Sequence, residues 1–166
     1  EMPHKEEKLQ VKEKNRLLLF IKYFAFIIVF VNLILISTIG VHELSHVMAA
    51  RYYGCESRAI FYQEGQYPYS EISCDTTQGK MFITLAGPIG PILIGALLFL
   101  LNFKFMRSSA FLIIGLNLIA SSRDYADISF SKTAVVAFNV AGLVFVVLGI
   151  LLLAKEGLQE EIQEIV

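Results

Sequence analysis

Charged residues are scarce in this chain of 166 residues, at 17% of the total, against about 25% in ordinary soluble domains. Neither sign of charge is in excess, since the formal net charge is −1. A nucleic-acid-binding surface needs a clustered basic face, so binding to nucleic acid is not expected. Nothing in the charge balance indicates an acidic partner either.

Hydrophobic residues take the place of the missing charges, at 55% of the chain with a mean hydropathy of +0.61. A helix needs roughly 20 mostly apolar residues to cross the hydrocarbon core of a bilayer. Residues 23–41, 81–103 and 133–154 are uncharged over about that length. A fourth uncharged segment, 108–122, is shorter and suits a short or tilted span. We therefore predict an all-α, multi-pass integral membrane protein with about four transmembrane helices in the lipid bilayer.

The apolar part of the chain is flanked by polar ends. Residues 1–16 mix both signs of charge and are predicted to form a juxtamembrane lead-in, 17–155 a membrane-embedded core, and 156–166 a charged tail. No proline interrupts residues 17 to about 53, so one long helix is expected there. The first apolar segment is too long for a signal peptide. Residue 1 is Glu rather than Met, as expected of a fragment or a processed chain.

The connection after the first apolar segment has the composition of a small β-hairpin at the membrane surface. Residues 59–62 favour a strand, 64–66 a turn, and 67–73 alternate like a second strand, which Pro68 restricts to a sheet edge. Five of the seven tyrosines lie between positions 52 and 69, which is typical of an interfacial aromatic belt. A further hypothesis is that the free strand edge pairs with an extended substrate.

Cysteine is nearly absent, and both cysteines, Cys55 and Cys74, fall in this hairpin segment. A bond between them would indicate an oxidising side of the membrane. Two free thiols in a polar loop are the alternative, and two residues do not decide between them.

Histidine is also rare, yet two of the three histidines form the motif His42-Glu43-Leu44-Ser45-His46. Positions i and i+4 share one helix face, so both imidazoles can reach one Zn²⁺ at about 2.0–2.1 Å. Glu43 can then activate a zinc-bound water as general base. Ionisable groups at membrane depth are costly and usually functional. The alternative is a helix end that has already reached the interface, where these side chains would simply be hydrated.

Zinc needs a third protein ligand, and the polar junction before the last apolar segment offers two aspartates. We favour Asp124 as the ligand, with Asp127 as the alternative; either could instead cap a helix. Glu71 and Asp75 are weaker candidates, because their loop has an exposed composition.

Asn117 is the other polar residue to weigh, since it lies in the fourth uncharged segment. Its amide could bind a substrate backbone or an oxyanion. It could equally hold two helices together.

These features together resemble the site-2 protease family of intramembrane zinc metalloproteases. The resemblance rests on the His42–His46 motif in a membrane helix, on Leu85-Ala86-Gly87-Pro88 in the next apolar segment, and on an aspartate near a later one. It implies zinc binding by His42, His46 and Asp124, and water activation by Glu43. It also implies a membrane-protein substrate that is cut within or beside the bilayer.

The resemblance carries two further implications for individual residues. Asn117 would match the family's substrate-contacting asparagine, although Leu118-Ile119-Ala120 follows it where the family often has Asn-x-x-Pro. Arg123-Asp124-Tyr125 stands where the family usually has Leu-Asp-Gly.

Two other functions compete with proteolysis. A metal or proton transporter would need polar residues on several spans, and residues 81–103 offer only Thr84 and Asn102. An inactive protease-like scaffold would be expected to have lost Glu43, which is present.

Membrane orientation stays open at this level. With four spans, one side carries eight basic residues and the other carries five, a mild preference for a cytoplasmic amino-terminal end. The resemblance instead suggests a site nearer the cytoplasm. The eight are Lys5, Lys8, Lys12, Lys14, Arg16, Lys104, Arg107 and Lys155, and the five are Arg51, Arg58, Lys80, Arg123 and Lys132.

Overall fold

A computed structural model describes residues 3–64, 66, 68–74, 79–101, 103 and 105–165, with side chains described only between positions 18 and 157. The described elements are five helices and a two-stranded sheet. In chain order they are α1 (Pro3–Tyr52), β1 (Glu56–Ile60), β2 (Tyr69–Ser73), α2 (Lys80–Leu100), α3 (Met106–Ala120), α4 (Ser122–Asp127) and α5 (Lys132–Ile165).

Three helical segments are long and apolar enough to cross a membrane: Leu18–Tyr52, Lys80–Leu100 and Lys132–Gly157. The helical membrane fold with a small hairpin is therefore confirmed, and the long uninterrupted first helix is present. The fourth predicted span is the exception, because α3 has 15 residues and a length of about 22 Å. That is short of the ~30 Å hydrocarbon core.

Helix α3 nevertheless carries the chain from one end of the bundle to the other. At its start, the ring of Phe105 lies 6.2 Å from that of Phe26 and 6.4 Å from that of Phe30 on α1. Just beyond its end, Asp124 reaches His42 on the same helix α1. The 12 to 16 residues that separate these contacts along α1 span about 18–24 Å, which matches the length of α3.

The short helix α3 is the centre of the bundle, where it packs against α1, α2 and α5. Against α5 the two backbones touch, because a Cβ added at Gly115 would lie 2.7 Å from the carbonyl oxygen of Gly142, and the reverse also holds. Lipid offers no hydrophobic driving force between helices, so such close backbone packing supplies the attraction. The buried residues of α3 are Ser108, Ser109, Ala110, Leu112, Ile113, Gly115 and Asn117.

The hairpin begins directly at the end of α1. Gly54 adopts φ 76°, a left-handed conformation that glycine reaches without a Cβ clash, and the Cys55 amide then donates to the Ala50 carbonyl. The strands pair antiparallel from Glu56 opposite Ser73 to Ile60 opposite Tyr69. Cys55 and Cys74 form a disulfide at the base of the hairpin, which settles the alternative left open by the sequence.

The hairpin lies along the last turns of α1. The Ser57 hydroxyl donates to the carbonyl of Val47 (3.1 Å), and the Ser70 hydroxyl donates to the carbonyl of Glu43 (2.9 Å). Arg51 adds a longer contact of 3.4 Å to the Ser57 carbonyl. Positions 43, 47 and 51 are four residues apart and share one helix face. The hairpin therefore covers the face of α1 that carries the motif glutamate.

Candidate metal centre

The two motif histidines are buried in the bundle, one turn apart on α1. His42 and His46 each keep 7% of their surface exposed, and their Nε2 atoms lie 3.2 Å apart. The predicted common face is confirmed. Because both rings direct Nε2 to the same point, that point can accept a shared ligand.

Asp124 brings a third ligand atom to this point from α4. Its Oδ2 lies 2.9 Å from Nε2 of His42 and 3.7 Å from Nε2 of His46. In a tetrahedral zinc site with bonds of 2.0–2.1 Å, neighbouring ligand atoms are about 3.3 Å apart. The three observed separations bracket that value, so His42, His46 and Asp124 fit one zinc ion and leave a fourth position open.

The far side of each imidazole is fixed by an acceptor. Nδ1 of His46 donates to the Ile83 carbonyl at 2.7 Å, and Nδ1 of His42 donates to Oδ1 of Asn117 at 3.1 Å. An imidazole that donates from Nδ1 keeps its Nε2 lone pair free for a metal. The surrounding helices therefore select the tautomer that a metal site requires.

Helix α2 closes the centre from one side with backbone alone. A Cβ added at Gly87 would lie 2.2 Å from Nε2 of His46 and 2.8 Å from Nε2 of His42. No side chain larger than hydrogen fits between α2 and the two rings. The glycine of Leu85-Ala86-Gly87-Pro88 therefore makes room for the ligand atoms.

Asp124 lies outside the membrane-spanning segments, and its charge state suits a ligand. Burial alone would raise the pKa of Asp124, but its contacts with His42 and His46 outweigh burial and lower that pKa to about 2. The carboxyl is therefore ionised near neutral pH, which is the form that binds a cation.

Residues 16–163 match a protein-family model described as Peptidase M50B-like. The chain belongs to this family. Membership confirms the resemblance to the site-2 proteases and supports a membrane metalloprotease kind of function. Searches of curated proteins and of solved structures gave no significant match.

The M50B-like centre opens into a cleft of about 900 Å³. The hairpin forms one wall, α4 forms another, and α2 contributes Ile83 and Thr84. Glu43 also faces the cleft, and the Ser70 hydroxyl lies 2.7 Å from its Oε2. The cleft thus exposes the metal position and the motif glutamate to the same space.

The other candidate ligands in this M50B-like chain are placed differently. Asp127 is exposed and lines the cleft, but the His-His-Asp group contains Asp124 instead. Glu71 is 2.6 Å from Arg58 in an ion pair on the exposed hairpin. Asp75 lies outside the described residues. The geometry favours Asp124, and its role as a zinc ligand stays a prediction.

Asn117 does not line the cleft. It is 0% exposed, its Oδ1 accepts from His42, and its Nδ2 donates to the Pro88 carbonyl at 2.7 Å. The amide has no free group to offer a substrate in this arrangement. It joins α3 to α1 and α2, which is the helix-linking alternative left open by the sequence.

Three groups around the centre were not predicted from the sequence. The Ile83 carbonyl belongs to the backbone, so no residue type could indicate it. Ser121 is fully buried, 3.5 Å from Nδ1 of His42, but serine is common at helix ends. Ser70 had a weak sequence signal, because it lies in the alternating segment that predicts the second strand. Its closeness to the motif becomes visible only in the fold.

Proposed function

We propose that the chain is an intramembrane zinc metalloprotease that hydrolyses peptide bonds of membrane-spanning or membrane-adjacent proteins. One observation carries the proposal: the Nε2 atoms of His42 and His46 and Oδ2 of Asp124 converge within 3.7 Å of one another, beside Glu43 in an open cleft. Two histidines, one carboxylate and an open position form the donor set typical of hydrolytic zinc.

Glu43 is proposed as the general base. The chemistry that a bound zinc ion supplies is Lewis acidity, which lowers the pKa of water towards ~7 and polarises a carbonyl. The carboxylate of Glu43 takes the proton of the attacking water at an Oε atom. The same atom then returns the proton to the leaving amine, which completes hydrolysis without another acid.

The position of the centre supports a membrane substrate. His46 bonds to the carbonyl of Ile83, which is three residues, or about 4.5 Å along the helix, inside Lys80 at the start of α2. The centre therefore lies just inside the charged rim of the apolar zone. Water can reach it from the rim, and a transmembrane segment can reach it from the bilayer.

The hairpin wall suits an extended chain. The β2 region lines the cleft with Pro68, Tyr69, Ser70 and Ile72. Within the described part of the chain, β2 pairs on one side, with β1, and its other edge has no strand partner. A substrate strand that added to the other side would gain main-chain hydrogen bonds while its scissile bond lay near Glu43.

Transport of a metal or proton is less well supported. A relay would need polar side chains through the bundle. Among the described residues of α2, Thr84 is the polar side chain at the cleft, and its hydroxyl bonds the Lys80 carbonyl of its own helix. An inactive scaffold would have no need for the buried carboxylate of Glu43.

Glu43→Gln tests the proposal directly. Zinc-loaded parent and variant are reconstituted in liposomes with a set of single-span reporter peptides, and fragments are identified by mass spectrometry. The variant should keep zinc and lose cleavage, whereas Glu71→Gln on the outer hairpin should cleave like the parent. Cleavage by Glu43→Gln at the parental rate, or parent protein that binds no zinc, would overturn the proposal.

A further inference from the structure

We propose that Ser70 on the hairpin is a positioning residue for Glu43, and that the docked hairpin thereby sets the geometry of the base. This inference rests on the proposed function for its effect on turnover. The contact itself is independent of any activity.

The Ser70 hydroxyl lies between two oxygens of the same residue. It is 2.9 Å from the carbonyl oxygen of Glu43 and 2.7 Å from its Oε2. A glutamate side chain has three rotatable bonds, and ordering it costs rotamer entropy. The single hydroxyl proton can be shared between the backbone carbonyl and the carboxylate only while both oxygens face Ser70, which favours one rotamer of Glu43 before substrate arrives.

Ser70 provides the described hydrogen bond that orients the carboxylate of Glu43. Glu43 itself is 9% exposed. By contrast, each motif histidine is fixed by an acceptor behind its ring. The bundle therefore orients the metal-facing rings, and the hairpin orients the base.

The hairpin provides a matched control for this contact. Ser57 on β1 makes the same kind of bond to α1, from its hydroxyl to the Val47 carbonyl at 3.1 Å, but it touches neither Glu43 nor the cleft lining. Ser57→Ala loosens the hairpin on α1 without removing the donor to the base. Ser70→Ala does both.

The experiment compares Ser70→Ala, Ser70→Thr and Ser57→Ala for zinc content, amide exchange of residues 69–73 and turnover of a cleaved reporter peptide. A hydrogen bond to a charged group is worth about 1.5–3 kcal/mol, which corresponds to a roughly 10- to 150-fold loss of kcat in Ser70→Ala. Zinc content should stay unchanged. Ser70→Thr should restore most of the activity, since it keeps the hydroxyl.

The outcomes separate the contact from its function. Ser57→Ala and Ser70→Ala should both speed amide exchange of β2, and only Ser70→Ala should lower kcat. Unchanged exchange in Ser70→Ala overturns the contact. Faster exchange with parental kcat, or equal loss of kcat in Ser57→Ala, overturns the positioning role. If the parent cleaves no reporter peptide, both the proposed function and the positioning role are overturned. The amide-exchange data still show whether Ser70 holds the hairpin on α1.

Discussion

Oδ1 of Asn117 on α3 accepts a hydrogen bond from Nδ1 of His42 on α1 at 3.1 Å, while Nδ2 of the same amide donates to the Pro88 carbonyl on α2. One buried side chain thus joins three helices and fixes the ring of the first motif histidine. Acceptors behind a ligating histidine orient the ring and raise its basicity. The amide therefore acts on the metal centre from outside the cleft.

Asn117→Leu should weaken zinc binding roughly 10- to 100-fold, the usual effect of losing a partner behind a ligating histidine. Asn117→Asp keeps the acceptor for His42 but loses the donor to the Pro88 carbonyl. Its zinc affinity should stay close to that of the parent while its melting temperature falls. Titration against a competing chelator, together with thermal unfolding in detergent, separates the two effects. Equal zinc affinity in Asn117→Leu and the parent would refute this account.

Two aspartates one helical turn apart allow a matched test of the third ligand. Asp124→Asn should lose stoichiometric zinc, because an uncharged amide replaces the carboxylate that lies 2.9 Å from His42. Asp127→Asn should keep it, since Asp127 lies outside the His-His-Asp group. Metal content of protein purified in detergent provides the measurement. The assignment would have to be reversed if the Asp127 variant were the one without metal.

Much of this centre could be predicted because its signals are local. The i, i+4 spacing of His42 and His46 needs only a helix, and the uncharged stretch before it indicates one. Asp124 could be predicted as a candidate, but its choice over Asp127 depends on which face of α4 is turned towards the histidines of α1 by packing on α2 and α5, which is a tertiary relationship. The sequence cannot show that relationship, because both aspartates follow the same apolar segment.

The less predictable parts depend on close packing. The sequence predicts α3 as a short span. Its enclosure by the other helices follows from the backbone contact at Gly115 and Gly142, and composition does not indicate that contact. The role of Asn117 was left between two alternatives for the same reason. A buried amide suits a substrate or a neighbouring helix equally until its partners are known.

Backbone contact between α3 and α5 should limit substitution at their crossing. Gly142→Ala places a Cβ 2.7 Å from the Gly115 carbonyl and 2.8 Å from Ile119, and overpacking of this kind costs about 1–3 kcal/mol. Gly40→Ala on α1 is the control, since a Cβ there meets nothing within 4 Å. Thermal unfolding in detergent should show a lower melting temperature for Gly142→Ala alone. Equal melting temperatures for both variants would contradict the packing described here.

Substitution of Gly87 gives the strongest steric test, because the atoms that a side chain would meet there are the proposed metal ligands. In Gly87→Ala the new Cβ would lie 2.2 Å from Nε2 of His46 and 2.8 Å from Nε2 of His42. Rings that must turn away cannot keep both Nε2 atoms on one ion. Zinc affinity, and cleavage with it, should therefore fall sharply.

Gly90→Ala separates this effect from general disruption of the contact between α1 and α2. It lies one turn further along α2, and its Cβ would meet the Cβ (2.9 Å) and the hydroxyl of Ser45. That hydroxyl donates to the Val41 carbonyl of its own helix, and Ser45 does not belong to the His-His-Asp group. Both variants should melt at lower temperature than the parent, and only Gly87→Ala should lose zinc in a chelator titration. Parental zinc affinity in Gly87→Ala would mean that α2 can retreat from the two rings, so that Gly87 is not what keeps the metal position open.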